Sequence, residues 1–214
     1  MAAREELILL AWNDLVGITR GRGIPVAAEV RLLLTQLGVA FERVELDILK
    51  GETRTAGFLR RNPNGRIPCL ELEDGTHLWE SNAIAFYLAE GTDFLPRGRL
   101  ERAQVLQWMF FEQYSHEPYI ATVRFWHHAG MIDARRDQLA ERMERGYAAL
   151  AVMESHLREH DFFVAGRYSI ADIALYAYTH VAHEGGYDLA GFPSLSAWLE
   201  RVRAQPGHVP ISKA

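Results

Sequence analysis

The residues best placed for chemistry are two dipeptides, Ile67-Pro68 at the head of one short apolar run and Glu80-Ser81 at the head of a helical one. Proline has no N–H to give to a ladder, so Pro68 is expected at a strand start or an edge. Ile67 before it is then held extended, with its own N–H and C=O unspent. Ser81 at a helix start accepts from orphan backbone N–H groups, and those groups, with the positive end of the helix dipole, also attract a carboxylate. An extended backbone edge and an anion site one hairpin apart suit a peptide with a free α-carboxylate.

The elements that must position these dipeptides follow from the spacing of apolar residues. Runs at 67–72 and 76–79 flank Glu73-Asp74-Gly75, and Asp-Gly between alternating hydrophobics signals an antiparallel hairpin because glycine tolerates the positive φ of the turn. Ala83, Ile84, Tyr87 and Leu88 then carry helical spacing. Upstream, 7–12 suits a fully buried central strand, with a buried helix the alternative that pattern alone leaves open at this length, and 13–23 reads as a loop with Gly17, Gly21 and Gly23 around Arg20 and Arg22. Pro25 opens a helix whose buried face is Val26, Val30, Leu33, Leu34 and Leu37, and Gly38 stops it. A second strand at 41–46 and a charged loop with a short helix at 50–60 complete the first part.

Beyond Glu90 the pattern changes. Residues 91–98 form a turn-rich linker, after which only helical periodicity is found. A helix over 100–115 carries Leu106, Met109, Phe110 and Tyr114, and Pro118 should interrupt it before 119–126. A long helix over 133–159 presents Leu139, Met143, Tyr147, Leu150, Met153 and Leu157 at three- and four-residue spacing. Ser169-Ile170-Ala171-Asp172 is a capping box that opens the next helix, and a last helix covers 194–204.

Composition sets bounds on function. The 214 residues, 49% hydrophobic and 24% charged, suffice for one large or two small domains without covalent staples. One cysteine, Cys69, excludes an intramolecular disulfide framework and fits a reducing compartment. A net charge of -5 gives no electrostatic case for nucleic acid or an anionic membrane. No apolar run is long enough for a membrane span and the N-terminus lacks a signal peptide's features, so a cytoplasmic protein is expected.

The segment NPNGRIPCLELEDGTHLWESNAIAFYLAE, opening at Asn62, resembles the glutathione-site half of the cytosolic glutathione transferases, of the bacterial theta-like or nu-like kind. GRYSIADI, carrying the capping box, resembles that family's second domain. The resemblance implies α/β plus all-α architecture, with a thioredoxin-like N-terminal domain over 1–90 and an all-helical domain over 98–214. It also implies glutathione as co-substrate, no metal, a small hydrophobic electrophile as second substrate, a detoxifying role and a homodimer. In such proteins the residue before a cis-proline pairs with the cysteinyl backbone of glutathione and a Glu-Ser pair holds its γ-glutamyl end. Ile67 and Pro68 take the first role, Glu80 and Ser81 the second, and Arg66 stands where relatives contact the glycyl carboxylate.

The family keeps the glutathione sulfur as thiolate, the nucleophilic form, with a Tyr, Ser or Cys after the first strand. Counting back from Glu29-Val30-Arg31-Leu32-Leu33-Leu34 lands on Ile24 or Pro25, and counting from Arg20-Gly21-Arg22 lands on Val16; none of these side chains can donate a hydrogen bond. Two solutions remain open. Thr19 supplies the hydroxyl, or the helix N-terminus at Pro25 with Arg20 or Arg22 stabilises the thiolate without one.

Cys69 reads as a small core residue, and His180 with His183 as two helix-face histidines without a third metal ligand. The aromatics Phe110, Phe111, Tyr114, Tyr119, Phe125 and Trp126 read mostly as core, some of them lining an electrophile pocket with Arg124. The S-S-C-S motif of maleylacetoacetate isomerases is absent. Disulfide reduction through glutathione is the nearest enzymatic alternative, and a non-catalytic glutathione-fold binding protein the rival from another class.

Overall fold

The computed structural model describes residues 7–10, as a backbone strand, and residues 28–210 in full. They form two compact units, one from residues 7–10, 28–88 and 206–210, the other from 89–205.

The first unit is built on a four-stranded mixed sheet. Strand β1 (Leu7–Leu10) pairs in parallel with β2 (Phe41–Val44) after helix α1 (Ala28–Leu37). It pairs antiparallel on its other side with β3 (Cys69–Glu71), which pairs in turn with β4 (His77–Trp79), giving the order β2-β1-β3-β4. Residues 7–10 of the apolar run therefore do supply an inner strand, and Ala11 and Trp12 lie outside the described residues. Alternation of side chains across β3 feeds two cores. Leu70 packs with Val30 and Leu34 of α1 and with Ile84 of helix α3 (Ser81–Ala89). Cys69 packs on the other face with Phe58 of helix α2 (Ala56–Arg61). This is the thioredoxin-like architecture.

Local chemistry explains the element ends. Gly38, at φ 65°, stops α1 in the left-handed region that glycine adopts without cost. Gly75, at φ 81°, closes the hairpin while its N–H donates to the Leu72 carbonyl at 2.9 Å. The paired strands are shorter than the apolar runs at 67–72 and 76–79, because pairing starts only at Cys69. The chain from Pro206 returns to this unit: Gln36 Nε2 donates to the Pro206 carbonyl at 3.1 Å and Arg31 Nη2 to that of Pro210 at 2.5 Å.

The second unit is helical: α4 (Arg99–Phe111), α5 (Glu117–His128), α6 (Arg136–Leu157), α7 (Ile170–Thr179) and α8 (Pro193–Arg203). Helix α7 is buried along all but one of its residues, as a helix apolar on every side must be. The 91–98 stretch is tied into this unit rather than free, since the Ile170 N–H donates to the Phe94 carbonyl at 3.0 Å and the Phe94 and Tyr168 rings meet edge to face at 5.9 Å.

Two expectations for α4 are corrected. Its buried stripe is Val105, Trp108 and Met109, while Phe110 and Tyr114 stand outward at 67% and 83% exposure. The interruption attributed to Pro118 takes the form of a π-turn over Glu112–His116, and Pro118 itself sits in the first turn of α5.

The capping box forms as read. The Asp172 carboxylate accepts from the Ser169 N–H at 3.0 Å, the Ser169 hydroxyl at 3.1 Å, the Phe163 N–H at 3.2 Å and the Trp198 indole N–H at 2.9 Å. Burial outweighs these bonds and pushes the Asp172 carboxyl up to about 6.

Candidate glutathione site

Asn62 organises the approach to Pro68. Its side chain is buried, donating to the Arg66 carbonyl at 2.6 Å and accepting from the Asn64 N–H at 2.9 Å. Gly65 completes the turn at φ 64°, and a Cβ there would meet the Arg54 guanidinium and lie 3.1 Å from the Thr53 carbonyl oxygen. Arg54 Nη1 in turn donates to the Asn64 carbonyl at 3.1 Å. This frame delivers the chain into Ile67-Pro68, whose peptide bond is cis.

The edge reading of Pro68 needs correction. Strand β3 is an inner strand, paired on both sides, and the outer strands of the sheet are β2 and β4. Pro68 is tolerated because it precedes the first paired residue, Cys69. What Ile67 offers is thus backbone beyond the end of both ladders, not the open side of an edge strand. Arg66 is exposed.

Across the hairpin, Glu80 lies at φ 69°, a left-handed conformation that a residue with a Cβ adopts at a cost of ~1–2 kcal/mol. Its carbonyl accepts from the Ile84 N–H at 3.0 Å, so Glu80 occupies the N-cap position and Ser81 is the first helical residue, not the cap itself. The turn at Glu80 leaves the first N–H groups of α3 without helical partners. Asn64 Nδ2 donates to Glu80 Oε1 at 3.3 Å and so links the two dipeptides. Ser81 is half-buried, and its side chain shares a hydrogen bond with the carboxyl of Glu29 in α1. Sequence reasoning missed Asn64 and Glu29 as parts of this site. The Asn62-Pro63-Asn64-Gly65 turn pointed to the first, and an acidic residue on the apolar face of α1 was the available signal for the second.

Thr19, Arg20 and Arg22, with Val16, Ile24 and Pro25, lie outside the described residues. Cys69 is fully buried, and burial raises its thiol to about 11, which suits a core residue and not a nucleophile. His180 follows the last residue of α7 and stacks on Tyr176 at 4.3 Å, whereas His183 belongs to a separate 3-10 turn at Ala182–Gly185, so the two do not share one helix face. Arg124 is buried and committed within its unit: Nε donates to Glu184 Oε2 at 2.7 Å, and His128 Nε2 meets the same oxygen at 2.9 Å. Burial pushes Glu184 up, but the Arg124 charge and these hydrogen bonds outweigh it and hold the carboxyl below its usual range.

The family model for the glutathione S-transferase N-terminal domain matches residues 18–90, and that for the C-terminal domain matches 108–206. A glutathione S-transferase structure from Pseudomonas fluorescens Pf-5 is 48% identical, with TM-score 0.88 and coverage of 97% of this chain and 99% of that one. The structure of a possible glutathione S-transferase from Rhodopseudomonas palustris is 44% identical, with TM-score 0.89 over 97% of this chain and 90% of that one. The disulfide-bond oxidoreductase YfcG of Escherichia coli K12 is 30% identical over 191 residues, covering 85% of this chain and 87% of its own length. The chain belongs to the glutathione S-transferase family.

Proposed function

We propose that this protein binds glutathione on its thioredoxin-like unit and transfers the glutathione sulfur to a small hydrophobic electrophile. The observation that carries the reading is the coupling of backbone at Ile67-Pro68 to the α3 mouth at Glu80-Ser81 through Asn64. Ile67 pairs with the cysteinyl backbone; Glu80 and Ser81 hold the γ-glutamyl ammonium and carboxylate, and the exposed Arg66 meets the glycyl carboxylate. Carboxylates favour these positions because a helix N-terminus and a guanidinium both offer N–H donors and positive charge.

The thiolate attacks an electrophilic carbon, by addition or by displacing a leaving group. Its stabilisation falls to the Thr19 hydroxyl, or to Arg20 or Arg22 with the N-terminus of the first helix. The reading includes theta-like or nu-like kinship, a cytoplasmic location and a homodimer, as the family resemblance implies. Among the described residues no helix is long and apolar enough to cross a membrane.

A second reading, disulfide reduction, is favoured by the 30% identity to a protein named as a disulfide-bond oxidoreductase. There the same thiolate attacks a disulfide sulfur, and a second glutathione completes the reduction as glutathione disulfide forms. Retention on immobilised glutathione, followed by parallel assays with a chloro-nitrobenzene and with a glutathione mixed disulfide, separates the readings. Conjugation as the faster reaction supports the transferase, disulfide turnover alone supports the reductase, and retention without either reaction makes the protein a binding module.

A further inference from the structure

Behind Ser81 sits a carboxyl group that the family reading leaves without a task. Glu29, in the first turn of α1, exposes only 5% of its surface. Its carboxyl accepts a hydrogen bond from its own backbone N–H and shares another with the Ser81 side chain, while its Oε2 is buried with no partner. Its surroundings among the described residues contain no compensating charge. From α3 it meets the Ser81 hydroxyl. Arg31, on its own helix, donates instead to the Pro210 carbonyl and is repelled by Arg43. Glu80, next to Ser81, is exposed and takes its bond from Asn64. Burial accordingly pushes the Glu29 carboxyl above the usual carboxylate range.

The protonation state of Glu29 fixes what Ser81 can do, because a hydroxyl has one proton to give. An ionised Glu29 only accepts; it would claim that proton and leave Ser81 presenting lone pairs to a ligand carboxylate. A protonated Glu29 can donate to Ser81 Oγ, and the Ser81 proton then points outward.

We propose that Glu29 is a positioning residue for the α-carboxylate site: as the acid it donates to Ser81 Oγ and turns the Ser81 hydroxyl proton toward the γ-glutamyl carboxylate of glutathione. This rests on the reading of Ser81 as a carboxylate anchor, and goes beyond it by assigning the group that sets the direction of its hydrogen bond. Glu29→Gln mimics the acid, since a carboxamide N–H donates at every pH, whereas Glu29→Leu removes the donor.

Calorimetric titration of glutathione from pH 5 to pH 8 tests this in the wild type, Glu29→Gln, Glu29→Leu and Ser81→Ala, with circular dichroism confirming that each is folded. Wild-type affinity is expected to weaken relative to Glu29→Gln as pH rises, and Glu29→Leu to bind about tenfold more weakly than Glu29→Gln, the scale of one charge-assisted hydrogen bond. Parallel pH profiles for wild type and Glu29→Gln overturn the assignment, and do so even where Glu29→Leu does not fold. A folded Glu29→Leu that binds like the wild type, beside a weakened Ser81→Ala, overturns it while leaving the anchor reading intact. Unchanged affinity in Ser81→Ala removes the anchor reading itself.

Discussion

Asn64 and Glu80 are joined by a hydrogen bond at 3.3 Å although 16 residues separate them in the chain. The bond spans the hairpin from the turn before cis-Pro68 to the left-handed residue before α3. It couples two places where the chain departs from ordinary backbone geometry, the cis Ile67-Pro68 peptide and the left-handed Glu80.

Replacing Asn64 with Ala should therefore affect binding more than folding. The bond is exposed, so its loss should cost less than about 1 kcal/mol of stability. Glutathione affinity should fall roughly threefold as Glu80 loses its tether, equivalent to about 0.7 kcal/mol. Paired thermal melts and calorimetry check this; a large drop in melting temperature with unchanged affinity would contradict it.

Cys69 should be dispensable for chemistry. Its thiol is buried and raised to about 11, so the thiolate is scarce at neutral pH. Native protein should react with a disulfide reagent only at its unfolding rate, and Cys69→Ala should keep activity within about twofold, a barrier change of about 0.4 kcal/mol. Loss of activity in a folded Cys69→Ala would return the cysteine to the list of nucleophiles.

His116 should make the protein acid-sensitive. Burial drives its imidazole down to about 3 from an ordinary 6.5. Thr179 Oγ1 donates to the Leu175 carbonyl at 2.6 Å, so His116 Nε2 carries the proton it shares with Thr179 at 2.8 Å, and Nδ1 is buried without a partner. The unfolded chain then binds a proton that the folded one refuses. This contribution to stability is complete above pH 6.5 and is lost at about 1.4 kcal/mol per pH unit as pH falls toward 3. Asp172 acts oppositely: its carboxyl, raised to about 6 from 3.8, gains protons first in the folded state and favours folding as pH falls through that window. Urea unfolding of wild type and His116→Gln isolates the first term. The wild type should lose stability relative to the variant below pH 6.5, and a pH-independent difference would contradict the assignment.

Much of this was legible in the sequence because local patterns and tertiary structure agree where ligand and cap geometry are strict. The Asp74-Gly75 hairpin, the Gly38 stop and the Ser169–Asp172 capping box each follow from φ preference or hydrogen-bond chemistry that a few residues carry. Burial on α4 was misread because Phe110 and Tyr114 are apolar whether or not they face a core, and periodicity cannot separate a buried aromatic from an outward one. The inner position of β3 was missed because strand order depends on long-range pairing with β1, which Pro68 does not report. The pairing of Glu29 with Ser81 was hidden for the same reason: only the packing of α1 on α3 brings them together.

Asp172→Ala should destabilise the second unit strongly. It removes the cap of α7, about 0.5–2 kcal/mol, and strands the buried Trp198 indole N–H, a further loss of about 1–3 kcal/mol. A denaturant midpoint within error of the wild type would refute the role given to this carboxylate.

A crystal structure of the protein grown with glutathione tests the central claim most directly. The cysteinyl backbone is expected against Ile67, the γ-glutamyl carboxylate at the N-terminus of α3 beside Ser81, and Glu80 within reach of its ammonium. Glutathione bound at full occupancy anywhere else would contradict it.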